Sequence, residues 1–429
     1  MFSSTLRSGS VEITPLGPTV LGANGLPGEK IARVGDPLEA NILILGPNPN
    51  PFVVISCDLL YIGNALRGMI ELALGDLVVP ERLFMGASHT HRATMTDSTK
   101  PELGRAEPEK IDSIAGAISK AVRDIHRQEE RPVSAEVGYG QHNAGINRRR
   151  KRMLSADRTG LGVNAVHMAP NRRGPVDTLI RRLRFLNSDG TTGAEIWSTA
   201  LHPTGYPSRD RVSADFPGRV REAIRNDEGA GVPVAFLQGF SGDIRPNTPH
   251  TPLGLRRLWT GKKFVAFTPE QYDAWVDGLI QSVRSAKFTP LQGVGIASVR
   301  TPVSREVFVH GKVGPPSGWV HGARLGDLAL VGVPSEVVVE YSSSLKIHET
   351  EDERLKHLWG IGCIDHVWGY SPTRSMLAEG GYESVGFCAA FAVDRVNPNV
   401  ESELRYALAT TVGALMAPLR PKHEGVKKC

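Results

Sequence analysis

The chain has 429 residues, of which 40% are hydrophobic and 22% charged, the usage of an ordinary globular protein. That composition excludes disordered and collagen-like classes and supplies a core large enough to fold without disulfide or metal staples. The net charge of +5 is too mild for this length to indicate nucleic acid. No stretch approaches the roughly 18–20 apolar residues of a membrane span. The opening MFSSTLRSGSVEITP lacks the apolar segment of a secretory signal. The four cysteines, Cys57, Cys363, Cys388 and Cys429, lie far apart with no C-x-x-C pair, so the expectation is a reduced, cytoplasmic protein without stable membrane insertion.

In chain order, short apolar runs predict buried strands over Asn41–Leu45, Phe52–Ser56, Arg82–Ala87, Glu195–Ala200, Val232–Leu237 and Asp327–Val333. Helices interleave with them. Ile111, Ile114, Ile118, Ala121, Val122 and Ile125 follow the 3.6-residue period behind a first-turn Pro108. Trp275, Leu279, Ile280 and Val283 do the same, as do Leu404, Leu408, Val412 and Leu415. The pattern predicts an α/β fold with mixed β-sheets, read as a single domain over 1–429. One dense basic run, Arg148 through Arg152, reads as a solvated loop or as a basic rim to a site.

Four of those strands run into turns that carry chemistry: Ser88-His89-Thr90-His91, Leu201-His202-Pro203-Thr204, Gln238-Gly239-Phe240-Ser241-Gly242-Asp243 and Pro334-Ser335-Glu336. Strand carboxyl ends form the ligand crevice of open α/β sheets, so these groups can converge. Two histidines and a carboxylate suit zinc with one position left open. Within the H-x-H, both histidines share a face if the segment is a strand; in a turn, one binds metal and the other handles protons. The plainer reading is three unrelated histidines. No nucleophile elbow, phosphate-binding loop, dinucleotide fingerprint or H-E-x-x-H motif competes with this site.

These blocks, taken in order, resemble the catalytic domain of the neutral/alkaline (non-lysosomal) ceramidases, zinc-dependent amide hydrolases. The resemblance runs through Val11-Glu12-Ile13-Thr14-Pro15, Ser56-Cys57-Asp58-Leu59, Ser88 to His91, Gly145-Ile146-Asn147-Arg148 and Leu201 to Thr204. It continues through Ser213-Ala214-Asp215, Gln238 to Asn247, Pro334 to Glu336 and Tyr370 through Gly380-Gly381-Tyr382-Glu383. It implies a layered fold, with mixed sheets sandwiched between helices, and one Zn2+ per chain held by His89, His202, Glu336 and Tyr370. His91, Arg148 and Tyr382 are implied as catalytic, His91 moving protons and the other two holding the substrate carbonyl.

Departures from the family pattern fall at Arg245, where the family has serine, and at Phe240, where it has asparagine. With Asp243 these are the expected substrate-binding residues. A guanidinium fills the space of a hydroxyl and favours an anionic substrate. The family's C-terminal β-sandwich domain is also expected to be missing. The segment Thr248–Phe267, with Trp259, Phe264, Arg256, Arg257, Lys262 and Lys263, reads as a lid or as an ordinary surface excursion. Trp359 and Trp368 read as core. The leading expectation is a zinc-dependent hydrolase of amide or related C–N or ester bonds in a small or medium substrate. A true ceramidase and a binding protein without catalysis are the alternatives. Partners are limited to the small molecule, with homo-oligomerisation left open.

Overall fold

The computed structural model describes residues 1–23, 31–151, 166–251, 262–310, 318–349 and 354–417. Its largest sheet has nine strands. In chain order these are β1 (Ser3–Glu12), β2 (Glu39–Leu45), β3 (Phe52–Cys57), β4 (Leu83–Ala87), β5 (Arg131–Gln141), then, after a smaller three-stranded sheet formed with β6 (Gly145–Lys151) and β7 (Val166–Asn171), β8 (Leu179–Asn187), β9 (Thr192–Thr199) and β10 (Val234–Gln238). The smaller sheet is completed by β11 (Ile244–Pro246), and the ninth strand of the large one is β12 (Lys287–Pro290), beside β5. The spatial order is β10-β9-β8-β5-β1-β2-β3-β4. Pairing is antiparallel through the middle and parallel at both ends, in β3–β4 and β9–β10.

A second sheet of four strands follows: β13 (Ile296–Val303), β14 (Gly318–Leu325), β15 (Leu328–Gly332) and, beyond the two-residue β16 (Glu336–Val337), β17 (His357–Ile361). The two sheets pack face to face over Leu43, Phe52, Val54, Phe84, Phe185, Leu325, Leu330 and Trp359. On the far face of the large sheet lie α1 (Asn64–Leu74), α2 (Pro108–His126), α3 (Asp215–Glu228) and α4 (Pro269–Arg284), and on the far face of the small one α5 (Val400–Met416). The result is helix, sheet, sheet, helix, and the expected mixed sheets between helices are present.

Local sequence accounts for these elements. All six expected strands form, each with fully buried apolar residues. In α2, Pro108 occupies the first turn and Ile111, Ile114, Ile118, Val122 and Ile125 bury one stripe. Thr268 caps α4 through Gln271 in a reciprocal capping box, with Pro269 next. Trp359 and Trp368 are core residues, as expected. Three cysteines, Cys57, Cys363 and Cys388, are buried thiols, and Cys429 lies outside the described residues. Among the described residues no helix is long and apolar enough to cross a membrane.

One expectation is corrected here. Arg148 to Lys151 belong to β6 and are neither a solvated loop nor, at Arg148 and Arg149, an exposed rim. Glu383, more than two hundred residues away, takes Arg148 Nε on one oxygen and Arg149 Nη1 on the other, each at 2.7 Å. Lys151 is exposed and pairs with Glu379, and Arg152 lies outside the described residues. Charge density along the chain carries no record of a partner that distant.

What positions the site is the meeting of the two parallel ends of the large sheet. Ser56 on β3 donates to the Phe236 carbonyl on β10 at 2.5 Å, and the Val234 amide donates to the Asn41 side chain at 3.1 Å. The loop after β17 is laid across both ends, with the Ala87 amide bonded to Cys363 O and the Gly362 amide to Gln238 O. Thus the carboxyl ends of β4, β9, β10 and β15 open into one place.

Candidate metal centre

His89 follows β4 by two residues, and its backbone is left-handed, with φ of 66°. Such strain in a residue with a Cβ persists only where surroundings fix it. Here the His89 amide donates to Leu59 O, and the His91 amide donates to Pro203 O in the turn after β9. That turn carries His202. It is braced by Asp215, whose carboxylate accepts the Gly205 and Tyr206 amides and the Tyr272 hydroxyl. The glycines of the third turn let it pack against backbone. A Cβ at Gly242 would sit 2.6 Å from Glu336 O, and one at Gly239 2.9 Å from Ala200 N. Glu336 begins β16, which pairs in parallel with β18 (Tyr370–Ser371), so that Glu336 and Tyr370 are register partners.

These elements bring three histidines and a carboxylate together. The donor atoms of His89, His91 and His202 lie within 4.8 Å of one another, and the three can hold a metal ion. The tautomers of two of them follow from their neighbours. His89 Nδ1 is 3.1 Å from Leu60 O, and His202 Nδ1 is 3.2 Å from Ser241 O. A carbonyl oxygen only accepts, so each Nδ1 carries a proton, and Nε2 is the ring atom left to bind a metal. Those Nε2 atoms are 3.0 Å apart. Glu336 Oε2 lies 3.3 Å from one and 3.6 Å from the other, and it accepts no hydrogen bond among the described residues. Atoms this close call for positive charge among them, which a metal ion in place of the His89 proton would supply. The donor set fits a divalent ion.

Charge at the site agrees. Burial opposes charge on His89, yet Cys363 and Glu336 beside it hold its pKa well above the ordinary value, so positive charge between these groups is favoured. Burial and the neighbouring His89 push His91 and His202 well down, leaving them as neutral imidazoles. Burial alone would raise Glu336; His89 and hydrogen bonds with Tyr370 and Tyr61 hold it below the usual carboxylate range.

Tyr61 carries a role that sequence reasoning missed. Its hydroxyl donates to Glu336 Oε1 at 2.6 Å, fixing which oxygen faces the histidines. Its ring packs 5.3 Å from that of His89. No spacing rule links it to Glu336; the only signal was its place four residues after Cys57 at the end of a strand. Tyr61→Phe is expected to weaken zinc binding about 10- to 100-fold, the usual effect of losing an outer hydrogen-bonding partner. Competition against a chromogenic chelator measures it.

Arg148 lies against two tyrosine rings, 5.5 Å from the Tyr370 centroid and 5.4 Å from that of Tyr382, and its Nη2 donates to the Tyr370 hydroxyl at 3.1 Å. Burial raises the Tyr382 hydroxyl to about 12. Two expected substrate contacts are placed elsewhere. Phe240 is buried in the core, its ring edge against Gly360. Asp243 is fully buried and accepts from Asn147 Nδ2 at 2.7 Å and the Val339 amide at 2.8 Å; it braces β6 against the segment after Glu336. Burial lifts its pKa to about 6. Arg245, on β11, does reach the site side, close enough that its charge acts on His91. Of the Thr248–Phe267 segment, the two ends are bridged at His250 and Phe264. Residues 252–261, with Arg256, Arg257 and Trp259, lie outside the described residues.

No protein-family model matches the chain, and no curated protein matches it. Among solved structures, the neutral ceramidase from Pseudomonas aeruginosa matches with a TM-score of 0.71 at 16% identity, over 97% of this chain and 75% of that one. A ceramidase complexed with C2 matches with a TM-score of 0.72 at 16% identity and the same coverage. The chain has the neutral ceramidase fold across nearly its whole length.

Proposed function

We propose that this protein is a divergent member of the neutral ceramidase family and a zinc-dependent hydrolase of amide bonds in a small or medium substrate. The observation that supports the reading most is the convergence of His89 Nε2, His202 Nε2 and Glu336 Oε2 on one buried point. These three would hold the ion, with Tyr370, beside Glu336, as the fourth ligand. A bound zinc supplies Lewis acidity and lowers the pKa of water from 15.7 to about 7.

The remaining work falls to side chains. Arg148 and Tyr382 receive the carbonyl oxygen and hold the negative charge that gathers on it as the acyl carbon becomes tetrahedral. His91, half-buried and neutral, takes a proton from water at a ring nitrogen and returns it to the departing amine. The C–N bond breaks, the hydroxyl stays on the acyl carbon, and acid and amine leave. Glu383 keeps Arg148 aligned from behind through the 2.7 Å bond to Nε. Ceramide itself is the second reading, favoured by the fold of the matched enzymes and opposed by a guanidinium at position 245.

The reading is tested with a panel of short-chain amides, esters and ceramides assayed before and after chelation. Amide turnover that disappears with chelator and returns with added zinc is the expected result. Turnover indifferent to chelation, or confined to none of the panel, defeats it.

A further inference from the structure

We infer that the substrate carries a carboxylate close to its scissile bond, and that Arg245 binds it. This rests on the hydrolase reading above and narrows its substrate class to amides such as N-acyl amino acids.

Several buried arginines in this molecule are matched to acids. Arg148 and Arg149 share Glu383, Arg182 pairs with Glu195, Arg221 with Asp58, and Arg225 with Glu39. Charge removed from water is costly unless compensated. Arg245, half-buried, has no such match. Among the described residues no carboxylate lies within ion-pair distance of its guanidinium. What it has instead is soft and apolar: the group lies 5.0 Å over the Phe264 ring, and Nη1 donates to Met168 Sδ at 3.7 Å. Phe264 stands at the base of the Thr248–Phe267 excursion, where it bridges to His250.

The surroundings of that cation follow from the strand pairing. Arg245 on β11 is paired with Ile146 on β6, two residues before Arg148. The Arg148 charge lies close enough to act on Arg245. Both charges act on His91, where Arg92 adds a third positive charge. Burial and the proximity of Arg148 lower Arg245 to about 10, which leaves it charged at neutral pH.

A single guanidinium offers one planar fork, matched by two carboxylate oxygens in a bidentate pair, while a phosphate dianion calls for further donors. The charge missing from the protein is then brought by the substrate. Arg148 stays with the carbonyl oxygen, and Arg245 fixes the far end, which orients the amide before the bond is attacked.

The test uses N-acetyl amino acids against their neutral carboxamide counterparts, bound calorimetrically to chelator-treated protein so that no metal takes the carboxylate. Wild type should prefer the acid by about 10-fold or more, as a charge-assisted pair implies. Arg245→Met should bring the ratio near one, and Arg245→Lys should fall between, which guards against a misfolded methionine variant. No preference in wild type, no binding at all, or a preference that survives Arg245→Met overturns the proposal. Turnover by zinc-loaded protein separates the two readings. Hydrolysis of neutral amides with carboxylates ignored removes only the Arg245 assignment. Arg245-dependent carboxylate binding with no amide cleaved removes the hydrolase and leaves the binding site.

Discussion

His202→Ala is expected to bind no zinc at micromolar concentration and to lose amide turnover by far more than the roughly 100-fold that an outer partner costs. The reason is geometric. His202 Nε2 lies 3.0 Å from His89 Nε2 and 3.6 Å from Glu336 Oε2, so alanine removes one of the converging donors. The fold should survive the change. His202 loses one hydrogen bond, to Ser241 O at 3.2 Å, worth about 1 kcal/mol. Metal content, turnover and the thermal midpoint, measured on one preparation, separate a lost ligand from a lost fold. An active, metal-free variant would refute the site.

Arg148→Met is expected to lower kcat by about 10²–10³, the range for removal of one donor to a developing oxyanion, with a smaller change in KM. It has a second, structural consequence. Breaking a buried ion pair by deleting one partner commonly costs about 3–5 kcal/mol. Here Glu383 keeps Arg149 at 2.7 Å on its other oxygen, so the loss in stability should fall below that range. Denaturant unfolding reads the second effect and steady-state kinetics the first. Equal losses of kcat in Arg148→Met and Arg148→Lys would mean that the planar fork matters as well as the charge.

Those two residues illustrate how far the sequence could be read. His202 was visible because an apolar run ended in a histidine turn, and a strand end has a fixed meaning in an α/β sheet. His89, His91 and Glu336 were visible in the same way. Arg148 was legible only through family resemblance, since by composition it opened a basic run indistinguishable from surface charge. Its burial depends on Glu383, and no local pattern connects the two. Tyr61 was hidden for the same reason, its partner Glu336 being 275 residues away.

The strands show a related limit. Continuous apolar runs such as Phe52–Cys57 declared themselves, whereas β1, β5 and β8 did not. β8 reads Leu-Ile-Arg-Arg-Leu-Arg-Phe-Leu-Asn, and two of its arginines are neutralised across the sheet, Arg182 by Glu195 and Arg184 by Glu136 and Glu228. A polar residue buried with its partner looks, in sequence, like one left in water. Phe240 and Asp243 show the same limit. Both are buried, and Asp243 holds β6 to the segment after Glu336, a role no local pattern announced.

The central claim is that His89, His202 and Glu336 surround one divalent cation, and elemental analysis tests it most directly. Protein purified without chelator, folded by circular dichroism, should carry about one zinc per chain, removable by dialysis against chelator and restored by added zinc. A well-folded sample that carries no divalent metal and refuses added zinc would contradict the account.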